Sequence, residues 1–167
     1  SYAVHRSSLT CSTAMPAADA PVRTLFRALN ARDAAAAATE LAPTYRGVDA
    51  TRSTVTVGVD DAQAEIEAGL TAFSDATFTI HQHVVQSPRV SIFWSVEAVH
   101  EGPFLQIPAT QRPVSVSGTS LFTVRGGQIT RGVHLWDLAG LLRELGLLPD
   151  LPDGAVSPTF DADSSSA

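Results

Sequence analysis

From Ala76 to Trp136 the chain is built largely from residues that favour extended backbone. The runs "ATFTIHQHVVQ", "RVSIFWSVEAVH", "PVSVSGTSLFTVR" and "QITRGVHLW" are rich in Val, Ile, Thr, Phe and Trp, side chains suited to a pleated, half-buried surface. They are separated by "SP" at 87–88, the longer "EGPFLQIPATQR" at 101–112, and "GG" at 126–127. Two of these breaks are short enough for antiparallel hairpins. The expected result is a strongly bent antiparallel sheet, and such a sheet must cover one face to bury its apolar side chains.

The cover is encoded upstream. In "DAPVRTLFRALNARD" Pro21 stands at a first helical turn after Asp19, and Val22, Leu25, Phe26 and Leu29 share one face. "DAAAAATELAP" opens at Asp33 with strong helix formers and stops before Pro43. "DDAQAEIEAGLTAF" has acids in its first turn and a buried stripe of Ile66, Leu70 and Phe73. Helices are therefore expected at 20–31, 33–42 and 60–73, with a short one after Asp137. The fold class is α+β, three N-terminal helices on one face of the sheet, with the opposite, concave face free for a ligand.

A chain of 167 residues with 44% hydrophobic content fits one domain, expected over residues 20–149. A flexible arm is expected at 1–19 and an acidic polar tail at 150–167, with 1–14 and 155–167 poorly packed. The net charge of −6 comes from 17 acids against 11 arginines, with no basic stripe for phosphates, so nucleic acid is not an expected partner. Cys11 is the sole cysteine, which excludes an internal disulfide and a zinc knuckle. No run is long enough for a signal-peptide core or a membrane span. A soluble, cytoplasmic protein without membrane partners is expected.

Three strings carry a resemblance: "FSD" at 73–75, "WSVEAVHEGPFLQIPATQR" at 94–112, and "GGQITRGVHLWDLAGLLRELG" at 126–146. With this order of elements over residues 20–149, the chain resembles the SnoaL-like polyketide cyclases of the ketosteroid-isomerase-like superfamily. It departs from the family pattern at Ala109 and Gln111, where "PPTG" becomes "PATQ", and at Glu144, where Gln is usual. The resemblance implies a cone-shaped α+β barrel enclosing a small or medium apolar, polyketide-like substrate. It also implies a homodimer or higher homo-oligomer, no cofactor, and an acidic general acid/base near the end of the last strand, which Asp137 matches.

Asp137 has two readings. Before Leu138 and the Leu141/Leu142/Leu145 stripe it is a helix N-cap; walled by Trp136, Leu138 and Phe122, it is a carboxylate whose pKa burial could raise toward that of a working base. One oxygen could cap while the other faces the cavity. His100 shares strand parity with Trp94, Val96 and Ala98, so it is expected to line the cavity and bond a substrate carbonyl, the alternative being a backbone-bonded hairpin histidine. Tyr45 could orient a substrate oxygen or plug the mouth. Arg131, on the parity of Asp137, could bind an acidic group or form a surface ion pair. Phe93, Trp94, Phe104, Phe122 and Trp136 are expected to shape the enclosure, with His134 beside them. His81 and His83 alternate on a polar face that reads as solvated, with His83 retained as a possible substrate contact. With His134 they lack a carboxylate to complete a metal site, so no metal is expected.

The function expected is a cofactor-independent cyclase closing a ring by intramolecular aldol-type condensation, with Asp137, His100 and Tyr45 as catalytic groups. Two alternatives stand beside it. One is an epoxide-opening cyclase or hydrolase using the same residues, and the other a noncatalytic binding member of the fold.

Overall fold

The computed structural model describes residues 18–151; Cys11 and the stretches 1–14 and 155–167, expected to pack poorly, lie outside the described residues. The elements run α1 (Ala20–Asn30), α2 (Ala34–Thr39), β1 (Leu41–Asp49), β2 (Thr54–Val57), α3 (Val59–Ala72), β3 (Phe73–Gln86), β4 (Arg89–His100), β5 (Pro113–Arg125), β6 (Gln128–Trp136) and α4 (Leu138–Glu144). The six strands form one curved, open sheet in the order β2-β1-β6-β5-β4-β3.

The expected helices form, with shorter limits for α2. Val22, Leu25 and Phe26 bury the inner face of α1, and the Asp33 carboxylate caps α2 by accepting from Ala36 N at 2.8 Å. Instead of remaining helical to residue 42, the chain enters the sheet at Leu41, and the Glu40 carbonyl accepts from Ile129 N. Pro43 sits where the β1–β6 register shifts between Leu41 and Arg46, a break at which a missing N–H removes no ladder bond.

Two expectations are corrected by the sheet. β1 pairs parallel with β6, because the helical hairpin delivers β1 to the end of the sheet where the Gly126–Gly127 turn starts β6; the other pairs are antiparallel. Also, the ligand-sized space does not lie on the face opposite the helices. The sheet bends around α1 and α3, so the cavity lies between helices and sheet. Bulges in β3 between Ser74 and Thr77 and between Ile80 and Gln82 produce some of that bend, with Asp75 of the "FSD" string at φ 50°.

The main core joins α1 to the sheet through Phe26, Ile92, Phe122 and Ile129, each worth roughly 1.5–3 kcal/mol of burial. A second cluster seats α4 on β5, with Leu141 and Leu145 against Val114 and Val116. Glu144, one of the departures from the family pattern, adds a polar tie there: its carboxylate accepts from Ser115 N at 2.6 Å.

Candidate active site

Between α1, α3 and the sheet lies a cavity of about 520 Å3 whose wall is chiefly apolar, with Leu25, Phe26, Phe78, Trp94, Phe104 and Phe122 among its members. Its polar side chains come from four places. β1 and the turn after it supply Tyr45, Asp49 and Arg52; β2 supplies Thr56; α3 supplies Glu65; and β5 and β6 supply Ser120 and His134. Gly132, His134 and Trp136 alternate along β6, and the pleat sends such residues to one face. An adjoining, almost wholly apolar cavity of about 290 Å3 continues under α3 and the 101–112 loop.

A hydrogen-bonded chain crosses the larger cavity. Trp94 Nε1 donates to Ser120 Oγ at 2.9 Å, Ser120 Oγ lies 2.9 Å from His134 Nδ1, and His134 Nε2 lies 3.4 Å from the Tyr45 hydroxyl. An indole can only donate, so Ser120 Oγ accepts from Trp94; where the Ser120 proton goes to His134 Nδ1, the imidazole carries its own proton on Nε2. In that tautomer Nε2–H faces the Tyr45 oxygen and the phenolic proton is available to a ligand; in the other the phenol donates to Nε2. Glycine at 132 allows the approach: a Cβ there would stand 2.6 Å from the Tyr45 hydroxyl and 2.8 Å from His134 Nε2.

Electrostatics decide which of these groups carry charge. Burial, helped by the negative charge of Glu65, pushes the Tyr45 hydroxyl up to about 12, so the phenol is neutral. Burial also lowers His134, and Arg52 adds to this while Asp49 and Glu65 oppose it; the imidazole is neutral at neutral pH. For Asp49, burial by itself would raise the carboxyl, but hydrogen bonds from Trp136 and Arg52 and the Arg52 charge outweigh it, holding Asp49 below the ordinary carboxylate value. Trp136 Nε1 donates to Asp49 Oδ2 at 3.0 Å, and Arg52 pairs with the same oxygen and also donates its backbone N–H to Oδ1. Asp49 is thus a fixed anion, whereas Glu65 accepts from Thr56 Oγ1 at 2.7 Å through one oxygen.

The structure brings six of the expected site residues together at this cavity: Tyr45, Trp94, Phe104, Phe122, His134 and Trp136. The other five lie elsewhere. Asp137 is exposed, outside the lining of both cavities, and its carboxylate caps α4 by accepting from Gly140 N at 2.8 Å. The odd parity it shares with Arg131 points both away from the cavity side of β6, and Arg131 is likewise exposed. His100 keeps the parity expected of it but is fully buried behind Phe73, its Nδ1 3.0 Å from Thr110 Oγ1 and accepting from Thr110 N. It anchors the 101–112 loop, and its Nε2 lies buried without a hydrogen-bond partner. Phe93 packs on His81, and His83 lies near Arg23 and Asp19 at the start of α1. Among the described residues no cluster of His, Cys, Asp and Glu could hold a metal ion, and no helix is long and apolar enough to cross a membrane.

A family model for SnoaL-like polyketide cyclases matches residues 20–145. The chain belongs to that family. Solved structures similar to this SnoaL-like chain include TsrD from Streptomyces laurentii, at 28% identity over 77% of this chain and 97% of that one, TM-score 0.68. AclR from Streptomyces galilaeus, described as a candidate hydroxylase, matches at 24% identity over 81% and 85%, TM-score 0.72. A protein from Catenulispora acidiphila with a ketosteroid isomerase-like fold matches at 19% over 77% and 94%, TM-score 0.68. No curated protein matches the chain. Membership supports a general cyclase role on small polyketide-like substrates.

Proposed function

We propose that this protein is a cofactor-independent cyclase in which Tyr45 and Glu65 work on a carbonyl substrate held in the larger cavity. The observation that carries the reading is the Trp94–Ser120–His134–Tyr45 chain in a chiefly apolar cavity whose lining includes Glu65; with the Ser120 proton on His134 Nδ1, the non-ionised phenol keeps its own proton for a ligand. Glu65 takes a proton from a carbon flanked by carbonyls, and Tyr45 donates to the oxygen on which the enolate charge develops. The enolate carbon then attacks a second carbonyl of the same molecule. The new alkoxide recovers its proton from Glu65, closing an aldol ring with no net proton change.

Donors fixed in advance where charge develops are worth most in a water-poor site, and holding both ends of one chain together supplies much of the remaining acceleration. Asp49 keeps Arg52 in place and adds a fixed charge to the wall. Asp137 acts in this scheme through the helix it caps.

Exchange of the α-protons of a β-keto ester in heavy water, followed by NMR, isolates the first step without requiring the natural substrate. The wild type should accelerate exchange, Glu65→Gln should lower the rate by about a hundredfold, and Tyr45→Phe by a similar factor. Exchange by Glu65→Gln at the wild-type rate refutes the assignment of the base. Absence of exchange or ring closure with any carbonyl substrate, alongside turnover of an epoxide, would favour the epoxide-opening alternative.

A further inference from the structure

Gly69 has no packing reason to be glycine. It lies inside α3, where glycine weakens a helix relative to alanine, and a Cβ built on it meets nothing within 4 Å. Its place is on the inward stripe of α3 between Ile66 and Leu70, and it lines both cavities. The missing side chain leaves space where the two cavities adjoin. Beyond that point the smaller cavity is walled by Phe73, Ala76, Val96, Ala98 and Val116. Two alanines among these larger side chains leave room that bulkier residues would fill.

We propose that the two cavities form one bipartite substrate site, with Gly69 as the opening between its lobes. The polar lobe takes the reacting carbonyl end. The apolar lobe takes a hydrocarbon or aryl arm of the same molecule, and Gly69 and Ala98 set how long that arm can be. The assignment of the carbonyl end rests on the proposed cyclase reading; the apolar lobe rests on the shape of the cavities. A substrate oxygenated throughout its length would leave the inner lobe's apolar wall unmatched, so the class selected is a carbonyl compound carrying one unoxygenated arm.

Both tryptophans of the chain, Trp94 and Trp136, line both lobes, which makes intrinsic fluorescence a direct monitor of occupancy. The probes are methyl n-alkyl ketones from propyl to nonyl, titrated against the full chain, with calorimetry as a second readout. Wild-type affinity should rise about three- to fourfold per added methylene and level off once the arm fills the lobe.

Gly69→Phe, placed at the opening, and Ala98→Leu, placed on the far wall, should each make affinity level off at a shorter arm. Gly69→Ala should melt above the wild type, because the helix gains and nothing collides. Tyr45→Phe should weaken every ketone by a common factor and leave the dependence on arm length intact. The bipartite site is overturned if wild-type affinity is independent of arm length, if neither obstructing variant shortens the series, or if Gly69→Ala melts lower. A Tyr45→Phe protein that binds all ketones as the wild type does would instead refute the carbonyl contact and leave the apolar lobe standing.

Discussion

Replacing Asp137 separates the two roles that a carboxylate at this position can play. Its oxygen accepts from Gly140 N at 2.8 Å, satisfying one of the free N–H groups at the start of α4. That helix has only 7 residues, so the cap is a large share of its local order, while Leu141 and Leu145, 1% and 4% exposed, hold it to β5. Alanine at 137 removes the acceptor and should cost about 1 kcal/mol, a fall of roughly 2–6 °C in Tm for a domain of this size. Asparagine keeps an acceptor of the same reach, and its melting should stay within about 1–2 °C of the wild type.

The proton-exchange rate should be unchanged in Asp137→Asn, because the exposed carboxylate lines neither cavity. The two measurements belong together: thermal unfolding for the cap, exchange or ring closure for the chemistry. An Asp137→Asn protein that melts normally but loses a hundredfold in rate would refute this reasoning and return the base to Asp137.

Three further outcomes follow from the cavity. Burial holds His134 below its ordinary value, so on acidification the unfolded chain takes up this proton first; stability should fall as pH drops below about 6.5 toward the lowered native value, and His134→Gln should flatten that part of a Tm-versus-pH curve. Asp49, held low, loses its contribution only below the ordinary carboxylate range, in a separate window. A spectrophotometric titration should show a phenol ionising near 12 that vanishes in Tyr45→Phe; its persistence would place that phenol elsewhere. Ser120→Ala leaves an indole donor and an imidazole nitrogen without their shared partner and should cost about 2–4 kcal/mol, seen as a lower midpoint in urea; an unchanged midpoint would mean that the chain contributes nothing to stability.

Much of the frame is legible because it is written in local periodicity. The α1 stripe of Val22, Leu25 and Phe26, the four long strands and the short helix after Asp137 each repeat at the spacing their backbone demands. β1 was hidden for an equally local reason: "ELAP" ends a run of helix formers at a proline, which reads as a helix stop, and nothing nearby announces that Leu41 will pair in parallel with Ile129. The polar end of the site is harder still to read, since Asp49, Arg52, Thr56, Glu65 and Ser120 sit on separate elements and meet only after the sheet bends.

Some of that polar end did leave a trace. Glu65 occurs three residues after Ala62 and four before Gly69, which puts it on the stripe of α3 that lines the cavity, at an exposed position where a charged residue is ordinary. Asp49 and Arg52 have the spacing of a turn in which a carboxylate bonds a backbone N–H three residues on, as Asp49 does.

Parity on β6 carries the most weight. Gly132, His134 and Trp136 share one face, so any argument that brings Trp136 to the substrate brings His134 with it and turns Arg131 and Asp137 the other way. The tryptophan next to Asp137 dries the cavity and donates to Asp49. The aspartate, one residue on and across the pleat, begins the helix that closes the end of the sheet. Adjacent residues in a strand face opposite environments, so the neighbour of a cavity tryptophan is the position least able to share its cavity while the strand stays regular. The acids that share it come from elsewhere in the chain, Asp49 on β1 and Glu65 on α3.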